Sequence, residues 1–143
     1  MLVSWSSYCR VSCLKHRRCK SLDLGPSREK VCSVIFEKAH SCYFYGLNRA
    51  CAVLCRAILE TALKEKLGAD NLWNELIEIA GQAAEGGTPL LDHERIEAAK
   101  KVYRAGNLAV HDEEQFDVRY RDVAVEALLL DMRKILEDLY SVP

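Results

Sequence analysis

From residue 28 onward apolar side chains recur at intervals of three and four, and no segment shows a clean alternation with period two. Such spacing stacks side chains on one face of a helix and would scatter them across both faces of a strand, so the chain reads as helical throughout. Val31, Ile35, Ala39 and Cys42 mark a first stripe over about 28–45, closed at Gly46. Cys51, Leu54, Ile58 and Ala62 mark a second over about 48–67, with Gly68 where a left-handed cap is expected. A third helix over about 71–84 starts at Asp70-Asn71 and buries Leu72, Leu76 and Ile79 or Ala80 before EGGTPLL interrupts the chain. A fourth begins between Thr88 and Asp92, where Pro89 suits a helix start, and carries Ile96, Ala99, Tyr103 and Gly106 on one side. The last, about 116–140, is apolar over an arc so wide that it is expected to be central or covered by a second subunit. Short connections imply antiparallel neighbours, and the expected fold is an all-α antiparallel bundle of four to five helices.

At 143 residues the chain suffices for one well-buried domain. The boundary falls in SLDLGPS, where Gly25-Pro26 closes a leader and Ser27 offers an N-cap. Residues 1–26 read as a basic, cysteine-containing, poorly ordered leader and 27–143 as the helical domain. Apolar runs are broken by charge well short of a membrane span, and the N-terminus lacks a signal-peptide pattern, so a cytoplasmic protein without membrane partners is expected. Residues 1–30 hold seven Lys/Arg against two Asp/Glu, which leaves the remainder acidic. Contact with nucleic acid would therefore be local, through the arm or a stripe on the body, and not a property of the whole surface.

Seven cysteines form no closed disulfide framework, the count being odd. Cys42, Cys51 and Cys55 sit in helical sequence as small hydrophobes. Cys9, Cys13, His16 and Cys19 are spaced C-x3-C-x2-H-x2-C, close enough to hold a tetrahedral zinc but matching none of the common zinc spacings. No cofactor is expected.

The densest chemistry lies in YRAGNLAVHDEE, residues 103–114. Lys100, Arg104, Asn107 and His111 follow one another by four, three and four, one polar face if the helix persists. Arginine can grip phosphate oxygens in a fork and stabilise the added charge of a pentacoordinate transition state. A histidine can take a proton from a ribose 2′-hydroxyl or return one to a leaving oxygen, and an asparagine can position either. The competing reading is structural: Gly106-Asn107 would end the helix, and His111-Asp112 would open a solvated acidic connection. Arg56 and Glu60, an i,i+4 couple beside Val53 and Leu63, are expected to be half-buried next to a partner or a polar site, or else to form a plain surface pair. His40 and His93 read as exposed helix residues, and Trp5 and Trp73 as lacking the basic neighbours of a base-stacking platform.

Two of these stretches carry a family resemblance. Ala52, Leu54, Arg56, Leu59 and Glu60 follow A-x2-L-x-R-x2-L-E with the alanine one position nearer, and Arg104, Asn107 and His111 follow R-x2-N-x3-H. With the surrounding helical segments, roughly residues 28–140 resemble the bacterial domain of unknown function family 4145, a branch of the HEPN superfamily of nucleotide-binding helical domains. That resemblance implies an R-x4-6-H motif acting as a metal-independent endoribonuclease at a homodimer interface and leaving a 2′,3′-cyclic phosphate. It casts Arg104, Asn107 and His111 as catalytic, Lys100 as a phosphate or substrate contact, and Arg56 with Glu60 as support. Six residues separate Arg104 from His111, inside the motif's range, while Ala105 stands where active members often place a polar residue. Many members are non-catalytic nucleotide-binding or protein-interaction modules of restriction, toxin–antitoxin or phage-defence systems. The expected partners are accordingly a second copy, RNA, or a protein of a defence or antitoxin system.

Overall fold

A computed structural model describes residues 28–68, 72–82, 87 and 89–140. The leader, the Cys9/Cys13/His16/Cys19 cluster, the Ser27 cap, Asp70-Asn71 and Thr88 lie outside the described residues. Those described form six helices and no strand: α1 (Arg28–Phe44), α2 (Asn48–Leu67), α3 (Trp73–Gly81), α4 (His93–His111), α5 (Glu113–Arg119) and α6 (Asp122–Tyr140).

Four of them are long, and their directions follow from cross-links between their ends. Cys32, early in α1, meets the Tyr140 hydroxyl at 3.8 Å at the end of α6, while the Tyr43 hydroxyl donates to Glu126 at 3.3 Å near its start. The two helices therefore run antiparallel. Arg95 Nε donates to Asp138 at 2.6 Å, which sets α4 antiparallel to α6. Asn48 reaches Asp122 at 3.0 Å and the Tyr140 hydroxyl donates to Glu65 at 2.9 Å, so α2 runs parallel to α6.

The wide apolar arc of α6 suggested a central helix or one covered by a second subunit; within the chain, α2 is the helix that packs against all the other described ones. Its seven buried residues include Cys51, Cys55, Ala52 and Ala62, small enough for neighbouring backbones to approach on several sides. α6 instead turns Val125, Leu129, Met132 and Leu136 inward and leaves Val123 81% exposed. The expected continuous helix over 116–140 is two helices meeting near Tyr120. The break lets Phe116, fully buried, point into the core from α5 while α6 restarts along its own axis.

Other stripes shift for similar reasons. α1 is apolar on both sides: Ala39 of the expected stripe is buried, but Cys32, Phe36 and Tyr43 join it in the core and Val31 is left exposed, because the two aromatic rings remove more surface from water. Cys42 is half-buried where Cys51 and Cys55 are fully buried. α3 starts two residues later than expected, so Leu72 is left 77% exposed and Ile77 joins Leu76 and Ala80 in the core, with Ile79 outside. The anticipated cap holds at Gly68, in the left-handed region at φ 61°, while α4 starts at His93 and not at Pro89, because the Asp92 side chain caps it by accepting from the Arg95 amide at 2.8 Å. No described helix is long and apolar enough to cross a membrane.

Candidate functional site

Gly106-Asn107 does not end α4. The helix runs through both to His111, and Asp112 closes it with its own amide on the Leu108 carbonyl at 2.9 Å. The same Asp112 starts α5, accepting from the Gln115 amide at 3.0 Å, so one residue serves two helices and the expected acidic connection is largely helical. Gly106 has a different task. A Cβ there would lie 2.4 Å from Arg56 Cβ and 3.1 Å from the Ala52 carbonyl oxygen, so the glycine is the point where α4 and α2 cross most closely.

With α4 continuous, Lys100, Arg104, Asn107 and His111 fall within an arc of roughly 60°. The buried residues Ala98, Ala99, Val102, Ala105 and Ala109 occupy the opposite side. Arg104 and His111 are exposed, and Lys100 and Asn107 half-exposed. Lys100 donates to Glu97 at 2.9 Å, which holds the Glu97 carboxyl below its usual range, Arg104 adding a weaker attraction. Among the described residues no side-chain hydrogen bond or ion pair engages Arg104, Asn107 or His111. His111 is the last residue of its helix.

Seven residues of helix separate the Arg104 and His111 backbones by roughly 10 Å, and both side chains lean toward the helix N-terminus.

Arg56 and Glu60 are half-buried, 25% and 31% exposed, and pair at 3.2 Å. The Arg56 stem lies across Gly106, and its guanidinium sits 4.8 Å from the centre of the Tyr103 ring. Tyr103 in turn stacks on Trp73 at 4.0 Å and 1°. Trp73 therefore has an aromatic neighbour brought by tertiary contact from another helix, with Arg56 on the far face of that neighbour. Sequence reading missed this stack, although an interior glycine on a good helix, at a cost of about 1 kcal/mol, already signals a close approach.

A second polar cluster, also unforeseen, joins α2 to α5. Arg49 takes Asp117 through two nitrogens at 3.1 and 3.2 Å and Glu113 at 2.6 Å. Two clefts of about 440 and 410 Å³ flank it and share Asn48 and Asp117. Neither is lined by the α4 stripe. His93 is exposed as expected, while His40 is half-buried and engaged with neighbours. Among the described residues no group of three His, Cys, Asp or Glu side chains could hold a metal ion.

A family profile described as domain of unknown function (DUF4145) matches residues 37–143, well over half of the chain. The chain belongs to the DUF4145 family. No curated protein and no solved structure matches it. The DUF4145 match takes in the last eight residues of α1, both halves of the Arg56–Gly106 crossing and the whole α4 stripe, and it leaves the basic leader outside.

Proposed function

We propose that this DUF4145 chain is a HEPN-like domain that binds RNA along the α4 stripe and cuts it without metal when two copies face each other. The observation that carries this reading is that Arg104, Asn107 and His111 stand on one solvent-facing side of an unbroken helix, their side chains without hydrogen-bond partners among the described residues. The separation of Arg104 from His111 within one chain argues for a composite site, in which the arginine of one copy and the histidine of the other address the same phosphodiester. There His111 takes the 2′-hydroxyl proton as the 2′-oxygen bonds to phosphorus. The P–O5′ bond breaks, and a proton from water neutralises the departing 5′-oxygen, leaving a 2′,3′-cyclic phosphate. Arg104 stabilises the charge on the pentacoordinate phosphorus, Asn107 positions, Lys100 holds an outer phosphate, and Arg56 with Glu60 supports α4 from behind. A defence or toxin–antitoxin setting fits such an activity.

Purified dimer is expected to cleave single-stranded RNA in EDTA with cyclic-phosphate ends, and His111→Ala to abolish cleavage while leaving the fold intact. Uncut RNA in the presence of folded dimer would refute catalysis.

One observation favours a second reading, a non-catalytic module that grips a partner protein or nucleotide with the same stripe. Ala105, next to Arg104, is fully buried, so that neighbouring position supplies no polar group to a reacting phosphate. Under this reading Arg104→Ala weakens capture of a stable partner and no RNA is cut.

A further inference from the structure

Beside the α4 stripe stands the stack of Trp73, Tyr103 and Arg56, drawn from three different helices. Trp73 covers one face of Tyr103 at 4.0 Å, nearly parallel, so the guanidinium at 4.8 Å takes the other face. Glu60 balances the charge of half-buried Arg56; on α4, Lys100 pairs with the exposed Glu97 at 2.9 Å and Arg104 has no ion pair among the described residues. Tyr103 follows Lys100 by three residues and precedes Asn107 by four, which makes it a surface neighbour of both, about 5–6 Å between Cβ atoms. All three members are half-buried, so the stack meets solvent at the edge of the stripe. Anchoring α3 does not require it, since Leu76, Ile77 and Ala80 already bury that helix's inner face.

Aromatic rings beside a row of cations are the combination that holds single-stranded nucleic acid, the cations following phosphates and the rings stacking on unpaired bases. We infer that Trp73, braced by Tyr103, is a base-stacking wall for one unpaired nucleotide of an RNA whose phosphates lie on Lys100 and Arg104. This rests on the RNA reading of the stripe. Because every base presents a π face, the wall selects unpaired over paired RNA and discriminates little between bases.

The test uses the full chain with Trp5→Phe, so that Trp73 is the sole indole. The probes are a 2′-O-methyl oligoadenylate, which cannot be cut by 2′-oxygen attack, and an abasic strand of equal length. Oligoadenylate is expected to quench the indole and to bind about tenfold tighter than the abasic strand. Adding Trp73→Ala should bring oligoadenylate down to abasic affinity without changing the abasic value. Equal affinities without quenching would overturn the wall and leave the RNA reading standing, whereas binding of neither strand would overturn both. The quenching arm needs no substitution in the stack, so it decides even if the alanine variant fails to fold.

Discussion

Gly106→Ala tests the crossing that positions the candidate site. Gly106 sits in ordinary helical backbone, so alanine there gains about 1 kcal/mol of intrinsic helix preference. Against this, the added methyl would lie 2.4 Å from Arg56 Cβ, 2.9 Å from Arg56 Cδ and 3.1 Å from the Ala52 carbonyl oxygen. The Cδ atom can swing away. The Cβ and the backbone oxygen move only with α2, so the two helices must part by roughly 1 Å along their closest line. Overpacking of that kind costs about 3 kcal/mol, the upper end of the usual range, because no flexible tip relieves it. The net loss is about 2 kcal/mol, which for a chain of this size lowers the melting temperature by roughly 8 °C. Urea denaturation followed by circular dichroism measures it, the midpoint falling at unchanged slope. Gly81→Ala is the control: its methyl would meet only Ile96 side-chain atoms at 3.6 Å, an ordinary contact, and stability should change by less than about 0.5 kcal/mol. In a double-mutant cycle, Arg56→Gly should recover part of the loss in the Gly106→Ala background. A Gly106→Ala protein as stable as the parent would refute the claim that this contact sets the spacing of α2 and α4.

Phe116→Ala should cost about 3 kcal/mol, since the ring is fully buried and a short helix with it, read as a lower melting temperature with early release of the Arg49 contacts to α5. Burial first, and then its bond to Glu65, push the Tyr140 phenol well above the ordinary tyrosine range, and burial beside Glu126 does the same for Tyr43. A pKa raised in the folded state means stability fully present below about pH 10 and lost as the pH rises beyond it. Tyr140→Phe should therefore cost about 1–2 kcal/mol near neutrality, and the fall in urea midpoint between pH 9 and pH 11 should become shallower. An unchanged slope over that interval would show that Tyr140 does not carry the alkaline loss.

What the sequence determined by itself is what repeats locally. Periods of three and four, Gly68 past the end of α2 and Asp92 ahead of α4 each act through neighbours within a turn, so helix content and several helix ends are legible from residue order alone. The row of Lys100, Arg104, Asn107 and His111 is local in the same sense, a consequence of spacing on one helix. Tertiary structure decided which side of each helix faces inward wherever both sides are apolar, as on α1, where Phe36 and Tyr43 won over Val31. It also decided that Gly106 is a crossing point and not a cap, because the deciding atoms belong to Arg56 and Ala52, about fifty residues away. The break near Tyr120, the Trp73–Tyr103–Arg56 stack and the Arg49 cluster share that origin. Each depends on atoms that meet only after the helices have packed, so no window of sequence contains both partners.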